Sequence, residues 1–367
     1  MPRRASKSPE PARATAPLSV SRPRRISVAT TEEKIRQSIK TESAKPGFRL
    51  QNGSTVSTSS GASTKSRGAA KELHPRELEF AQRTARKTLS WIALATALIL
   101  GLASGHAELA LTLPLPAPSL MRTIVAGLVF AVMLSTFLIE LFWMPKARDP
   151  SLPGRTESDG VKWRIFQTPL GHLVWLTMQI IVFLNLVTLL WFLGEATLLM
   201  DPRVSKAAPA SIGLGALVLS YQLAAVATGF AWLLAVLFTK LCFFEKKWRE
   251  TVRDPYNATH SPHFGAVQLY IHCVQAPLCT LSYLGVWDRR LLLTVKPSLK
   301  KVLAGSIGYG NLYIGLLLAV YLGYATPVYP IIEVVHTAKP FPMGWIGFTG
   351  AISGVVAAFM CGIVYLI

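Results

Sequence analysis

Charged residues are scarce in this sequence. Asp, Glu, Lys and Arg together make up 16% of its 367 residues, whereas 51% of the residues are hydrophobic. Soluble globular domains have about 25% charged residues. The composition therefore excludes an ordinary soluble domain and predicts an integral membrane protein that crosses the bilayer several times.

Cysteine is also scarce, and the signatures of several soluble enzyme classes are missing. The four cysteines are Cys242, Cys273, Cys279 and Cys361, with no C-x-x-C spacing among them. This argues against a disulfide framework and against a metal site. The sequence has no phosphate-binding glycine loop, no G-x-S-x-G turn and no His-x-x-x-His pair. We therefore expect no metal, no cofactor and no nucleic-acid partner.

Basic residues are concentrated near the N-terminus. Residues 1–87 contain 19 Lys and Arg against 7 Asp and Glu, and they are rich in Ser, Thr, Pro and Ala. A segment of this composition buries too little apolar surface to offset the entropy of ordering it. We expect a disordered, basic cytoplasmic tail over 1–87 that contacts anionic lipid headgroups.

Uncharged runs in residues 88–367 predict an all-α bundle of transmembrane helices. Each run can hold a helix of about 20 residues, and the spans are expected near 88–106, 121–143, 170–193, 212–238, 265–286, 302–324 and 342–366. The first is short, so six spans remain if it lies in the membrane interface. The positive charges of the loops are compatible with both six and seven spans, so they do not determine the topology. We expect a multi-pass protein of an endomembrane, the endoplasmic reticulum rather than the plasma membrane.

Two patterns of small residues predict close helix contacts. Gly350 and Gly354 form a Gly-xxx-Gly pattern in the last span, and Ser306 shares a face with Gly310 in the span before it. Such residues let helix backbones approach one another in membranes. We interpret them as packing features.

The segment 265–284 has no charged residue but carries a polar stripe. Its polar residues recur at helical spacing and share one face; they are Gln268, His272, Gln275, Cys279 and Tyr283. Lipid would penalise this stripe, so we expect it to face protein or a wet cavity. Pro277 lacks an amide donor and crowds the carbonyl of Cys273, which predicts a loosened helix beside His272.

The third span carries a second polar face. Thr177, Asn185 and Thr188 lie within about 80° of one another on a helix. Because the third and fifth spans cross in the same direction, Thr177 and His272 both lie about 10 Å from the same membrane face. Neutral imidazole can accept the proton of a hydroxyl nucleophile. The pair therefore suggests nucleophilic catalysis; the alternatives are a structural histidine and a threonine bonded to its own helix.

Three segments resemble, in the same order, motifs of the androgen-induced protein family. Residues 170–177 are similar to its Gly-x-x-Trp-Lys-Phe/Tyr-Leu-Thr segment, residues 272–277 to its His-Thr-x-x-x-Pro, and residues 324–333 to its Thr-Gly-x-Trp-Val-Tyr-Pro. The likeness covers roughly residues 165–366. Among the departures, Trp175 stands two places before the threonine instead of four, and Pro327 stands where the family has Trp.

The resemblance implies a multi-span enzyme that hydrolyses fatty acid esters of hydroxy fatty acids. Thr177 takes the position of the family's nucleophile and His272 that of its histidine. We expect lipid substrate to enter from the bilayer, and we consider Asn185, Gln275 and Tyr329 as groups that stabilise the oxyanion or orient His272.

Two other expectations complete the interpretation of the sequence. Glu140 and Glu333 are expected at the interface as solvated acids. The alternative function is non-enzymatic: a transporter or channel lined by the polar stripe, or a lipid-binding scaffold that acts through its tail.

Overall fold

The computed structural model describes residues 73–152, 157–200, 208–246, 249–338 and 341–366. Within these ranges the chain forms helices and no strand, which confirms the predicted all-α class. The α-helices discussed below, numbered in chain order, are α1 (Pro75–Gly105), α2 (Ala107–Thr112), α3 (Leu120–Leu138), α4 (Glu157–Phe166), α5 (Leu176–Met200), α6 (Ala208–Phe238), α7 (Asp254–Thr259), α8 (Phe264–Cys273), α9 (Gln275–Gly285), α10 (Arg289–Val295), α11 (Leu299–Tyr324), α12 (Pro330–Ala338) and α13 (Met343–Leu366).

The described residues form a polytopic helical membrane bundle. Six segments are long and apolar enough to cross a membrane; they are Pro75–Thr112, Leu120–Trp143, Leu176–Met200, Ile212–Phe238, Leu299–Tyr324 and Met343–Gly362. A seventh is added if Phe264–Gly285 and Arg289–Val295, which are bent by 103° to each other, form one span. The first span, the weakest by sequence, is therefore among the six. The segment with the polar stripe, residues 265–284, is therefore a candidate membrane span only when it is combined with Arg289–Val295 across the bend.

The helical bundle begins earlier than predicted. Residues 75–87, assigned by sequence to the disordered tail, form the first turns of α1. The fully buried carboxylate of Glu77 anchors them, because it pairs with Arg148 at 3.1 Å and accepts a hydrogen bond from the amide of Asp149. The ring of Phe80 also stacks on Trp163 at 3.7 Å. Residues 1–72 of the predicted tail lie outside the described residues, and so does its proposed contact with anionic lipid.

Helices α5 and α6 form the centre of the bundle. Both are predominantly apolar and have the largest buried fractions of the six membrane-spanning segments, as expected for helices surrounded by other helices. At Gly194 on α5 a Cβ would lie 2.7 Å from the Cα of Leu217 on α6, and at Gly215 it would collide with the carbonyl of Ala103 on α1. These glycines therefore set how closely the helices approach.

The prediction of close helix contacts is wrong for its three glycines, whereas Ser306 is buried. A Cβ at Gly310, Gly350 or Gly354 would meet no atom within 4 Å. Helices α11 and α13 do pack together, but polar side chains take part in the contact, as Ser353 Oγ donates to Asn311 Oδ1 at 3.0 Å. Glycines spaced four residues apart lie on one face of a helix, but this spacing does not determine whether another helix covers that face.

The two acids expected at the interface differ in their surroundings. Glu333 on α12 is exposed, in agreement with the prediction. Glu140 lies in a π-helical turn, Ile139–Trp143, that continues α3, and its Oε2 is buried with no hydrogen-bond partner among the described residues. The prediction of a solvated acid at Glu140 is therefore wrong for this oxygen.

Candidate functional site

Thr177 is held in the first turn of α5 by an unusual connection. The chain enters through a 3₁₀ turn, Gly171–Val174, and Trp175 is extended with φ −80° and ψ 130°. Gly171 has φ +56°, and a Cβ there would lie 2.8 Å from Thr88 Oγ1 on α1. Only glycine adopts this backbone without strain. Thr88 Oγ1 also accepts a hydrogen bond from the amide of His172 at 3.0 Å, so α1 fixes the position where α5 starts.

His272 lies beside a break in the polar-stripe segment. Helix α8 ends at Cys273 and α9 begins at Gln275, so the break falls at Val274. It lies three residues before Pro277, and Val274 keeps helical dihedrals of φ −63° and ψ −30°, so the interruption near His272 is slight. The stripe also faces protein as predicted, because Gln268, Gln275 and Tyr283 are buried.

The structure brings Thr177 and His272 together. Thr177 Oγ1 and His272 Nε2 are 3.3 Å apart. The other ring nitrogen, Nδ1, lies 2.8 Å from the carbonyl oxygen of Gln268. Because a carbonyl can only accept, Nδ1 carries the proton in this pair, and Nε2 is left as the acceptor for the Thr177 hydroxyl. The tautomer is therefore the one that a general base requires.

The surroundings shelter the histidine more than the threonine. His272 is 7% exposed, and its ring stacks on Phe238, with centroids 3.8 Å apart and planes at 14°. Thr177 is only half-buried. The imidazole is therefore shielded from solvent, and the threonine is shielded in part.

Thr177 differs from other helical threonines in the partner of its hydroxyl. The hydroxyls of Thr84, Thr188 and Thr228 each donate to the carbonyl one turn earlier, on Phe80, Leu184 and Ala224 respectively. For Thr177 the equivalent carbonyl, that of Leu173, accepts instead from Gln179 Nε2. The alternative of a threonine bonded back to its own helix is therefore not observed at Thr177.

Of the three proposed partner residues, Tyr329 lies nearest to Thr177 in the hydrogen-bond network. Its hydroxyl accepts from the amide of Leu176 at 3.1 Å, and Leu176 directly precedes the threonine. Tyr329 therefore supports the turn that carries Thr177.

The side-chain amides of the other two partners, Asn185 and Gln275, are engaged with backbone away from Thr177. Asn185 lies eight residues along α5, about 12 Å away, and donates to the carbonyls of Met133 and Ile181. Gln275 donates to the carbonyl of Ile271, one turn earlier. Neither amide group is joined to the threonine by a hydrogen bond among the described residues.

Main-chain groups at the start of α5 were not identified by sequence analysis. The first amides of a helix have no intrahelical acceptor; here the first intrahelical bond runs from Gln179 to Trp175. The Leu176 amide bonds to Tyr329, and the amides of Thr177 and Met178 follow it in the same turn. Met178 is fully buried, so the Thr177 amide is the donor of this turn that can stabilise negative charge on a substrate oxygen.

His172, the other histidine close in sequence to Thr177, has a different environment. Its ring packs against Phe166, with centroids 4.5 Å apart. Burial lowers the pKa of His172 to about 4, and nearby Lys146 contributes to the lowering, so the ring is neutral at pH 7. No hydrogen bond joins it to Thr177 in the described residues, and it serves as a comparison for His272.

A second buried polar cluster lies at the other end of α5. Glu195, with a fully buried side chain, pairs with Arg122 at 3.1 Å and accepts from Trp191 and Tyr221 at 3.3 and 3.4 Å. It is 18 residues from Thr177, about 27 Å along the helix. Sequence analysis missed it because Glu195 borders an apolar run. Among the described residues no group of three His, Cys, Asp or Glu side chains could hold a metal ion.

Comparison of this chain with protein-family models, with curated protein sequences and with solved structures finds no match. The functional assignment therefore depends on the geometry of the site and on the motif resemblance.

Proposed function

We propose that the protein is an integral-membrane hydrolase of lipid esters in which Thr177 is the nucleophile and His272 the general base. The observation that carries the proposal is the 3.3 Å approach of Thr177 Oγ1 to His272 Nε2, with Nδ1 already bonded to a carbonyl. A hydroxyl needs such a base to become a nucleophile near pH 7. The burial of the imidazole, next to a threonine that is only half-buried, adds support.

The proposed reaction has two halves. Thr177 Oγ attacks the ester carbonyl carbon while its proton passes to His272 Nε2, and the amide of Thr177 at the start of α5 stabilises the oxyanion. The tetrahedral intermediate collapses, the alkoxide leaves with the proton from His272, and an acyl-threonine remains. Water then attacks this ester while His272 takes its proton. The second collapse returns the proton to Thr177 and releases the fatty acid.

The proposed site uses a main-chain carbonyl where many hydrolases use a carboxylate. The carbonyl of Gln268 fixes the tautomer and orientation of His272 but carries no full negative charge. It therefore stabilises the imidazolium less than a buried Asp would. This favours a slow enzyme acting on an activated or concentrated substrate, and a membrane supplies lipid at high local concentration.

The substrate class comes from the motif resemblance. We propose fatty acid esters of hydroxy fatty acids, drawn from the bilayer, and an endomembrane location such as the endoplasmic reticulum. The rival non-enzymatic hypothesis requires the polar stripe to line a path. It is less favoured because Gln268 and Gln275 are 9% and 0% exposed, packed against neighbouring helices.

The test is labelling of the purified full-length protein with a fluorophosphonate probe, together with hydrolysis of a fatty acid ester of a hydroxy fatty acid. Thr177→Ala should abolish labelling and lower the hydrolysis rate by roughly a thousandfold or more. His272→Ala should lower the rate by about a hundredfold or more. Thr177→Ser should keep labelling, because it retains the hydroxyl.

Matched controls come from the same elements. Thr188→Ala removes a hydroxyl on α5 that bonds to Leu184, and His172→Ala removes the nearby histidine that does not contact Thr177. Both should retain labelling. The proposal is wrong if Thr177→Ala and Thr188→Ala label equally, or if a Thr177 and His272 double variant still hydrolyses the ester.

A further inference from the structure

A cavity of about 460 Å³ lies between α5, α6 and the first half of α11. Its volume falls within the range of about 300–1,000 Å³ that is usual for small-molecule sites. Neither Thr177 nor His272 lines it. On α5 the lining residues begin at Gln179, which is about 200° around the helix from Thr177. The cavity is therefore separate from the proposed reaction site.

The walls of the cavity suit an alkyl chain. Phe183 from α5 and Phe230 from α6 meet edge to face with centroids 6.0 Å apart, and aliphatic side chains of α6 continue this surface. At one end Tyr309 on α11 packs on Phe230 and donates to Gln179 Oε1 at 2.6 Å. This hydrogen bond gives the Tyr309 hydroxyl and the side-chain carbonyl oxygen of Gln179 a partner each.

Two polar groups on α11 that line the cavity lack partners among the described residues. Ser306 is 1% exposed and lines the cavity, yet its Oγ has no hydrogen-bond partner in the described chain. Buried hydroxyls are rarely left in this state, because desolvation then goes uncompensated. Lys301 lies one and a half turns earlier on the same helix, is exposed, lines the cavity and forms no ion pair with a described residue.

We infer that this cavity binds a long-chain fatty-acid anion. The carboxylate accepts hydrogen bonds from the Lys301 ammonium and the Ser306 hydroxyl, and the flexible four-carbon stem of lysine lets both donors reach one group. The alkyl chain lies along Phe183 and Phe230. The volume suits one chain, and the single cation suits one negative charge. This inference does not depend on the proposed hydrolysis, since its site and its measurement are different.

The first experiment uses the full-length protein in neutral detergent with a diazirine-bearing palmitate. After photolysis, mass spectrometry should place the label on α5, α6 and α11 peptides that line the cavity. Palmitate should compete, whereas hexadecanol, with the same chain but no charge, should compete about tenfold more weakly. Equal competition by hexadecanol, or labelling spread evenly over the lipid-facing helices, would overturn the inference.

Two pairs of variants locate the site. Gly305 lines the cavity and Gly308 does not, and a Cβ at either meets no atom within 4 Å. Gly305→Leu should reduce labelling about tenfold by filling the cavity, and Gly308→Leu should leave it unchanged. Lys301→Glu should reduce labelling while Lys300→Glu, at a neighbouring position outside the cavity, should not. The inference fails if the two members of either pair behave alike. If Gly305→Leu is unstable, the Lys301 pair still tests the inference, because Lys301 is exposed and its substitution does not disturb the packing.

Discussion

The carbonyl of Gln268 accepts a hydrogen bond of 2.8 Å from Nδ1 of His272, one turn later on α8. The group that orients the imidazole is thus part of the helix backbone. The side chain of Gln268 points elsewhere, with Nε2 donating to the sulfur of Met144 at 2.9 Å. The orientation of His272 is consequently tied to the helical geometry of α8 and to the break that ends it.

Gln268→Leu tests whether the backbone or the side chain of residue 268 matters. The substitution keeps the carbonyl and α8, so hydrolysis and fluorophosphonate labelling should stay within about threefold of the unaltered protein. Loss of an orienting carboxylate from a catalytic triad costs about ten-thousandfold. A loss in Gln268→Leu as large as that in His272→Ala would contradict a backbone role.

Tyr329→Phe tests the support of the α5 start. Its hydroxyl accepts from the Leu176 amide, so removing it leaves that amide without its acceptor, whereas the Tyr313 hydroxyl can still donate to the carbonyl of Val174. We expect a loss of about 1–3 kcal/mol in stability and a lower hydrolysis rate, because Thr177 follows Leu176 directly. Thermal unfolding in detergent measures the first and ester hydrolysis the second.

The matched control for Tyr329 is Tyr321→Phe. The Tyr321 hydroxyl makes no hydrogen bond with a described residue, although its ring lies 4.7 Å from that of His336. Its removal should leave both the unfolding temperature and the hydrolysis rate unchanged. Equal effects of the two substitutions would show that the Tyr329 hydroxyl does not support α5.

Arg122→Leu tests the buried ion pair at the far end of α5. The Glu195 side chain is fully buried and the Arg122 side chain is 17% exposed. Removing the cation leaves an uncompensated carboxylate, which should cost about 3 kcal/mol and lower the unfolding temperature. The pair Arg83 and Glu79 is largely exposed, so Arg83→Leu should cost less than about 1 kcal/mol. Similar shifts in both variants would argue that Glu195 is not held as a buried anion.

Gly215→Ala tests the closeness of α1 and α6. The added Cβ would collide with the carbonyl of Ala103, a backbone atom that cannot rotate away. Overpacking of this kind costs about 1–3 kcal/mol, so the unfolding temperature should fall. Gly350→Ala adds the same atom where nothing lies within 4 Å, and helix propensity predicts a slight gain. An unchanged unfolding temperature for Gly215→Ala would show that the helices can move apart freely.

Part of the candidate site was predictable because helix geometry is regular. The depth of Thr177 and His272 follows from counting residues along two spans, and the contact between them agrees with that count. The same regularity misled the choice of partners. Asn185 shares a helix face with Thr177 but lies about 12 Å along the axis, and its amide hydrogens are taken by carbonyls of Met133 and Ile181. Two residues on the same helix face can lie far apart along the axis, and the helix face does not show which acceptors will bind their donor groups.

The sequence by itself determined that the chain forms apolar helices of membrane-spanning length, that the uncharged segment 265–284 buries its polar stripe, and that Pro277 removes one amide donor from that segment. These follow from local chemistry, namely side-chain polarity and the missing amide of proline. Only the tertiary structure decided which glycines touch a neighbour, that Glu195 is neutralised by Arg122, and that a main-chain carbonyl sets the His272 tautomer. Each of these depends on how helices distant in sequence are rotated and packed, or on backbone atoms that every residue shares.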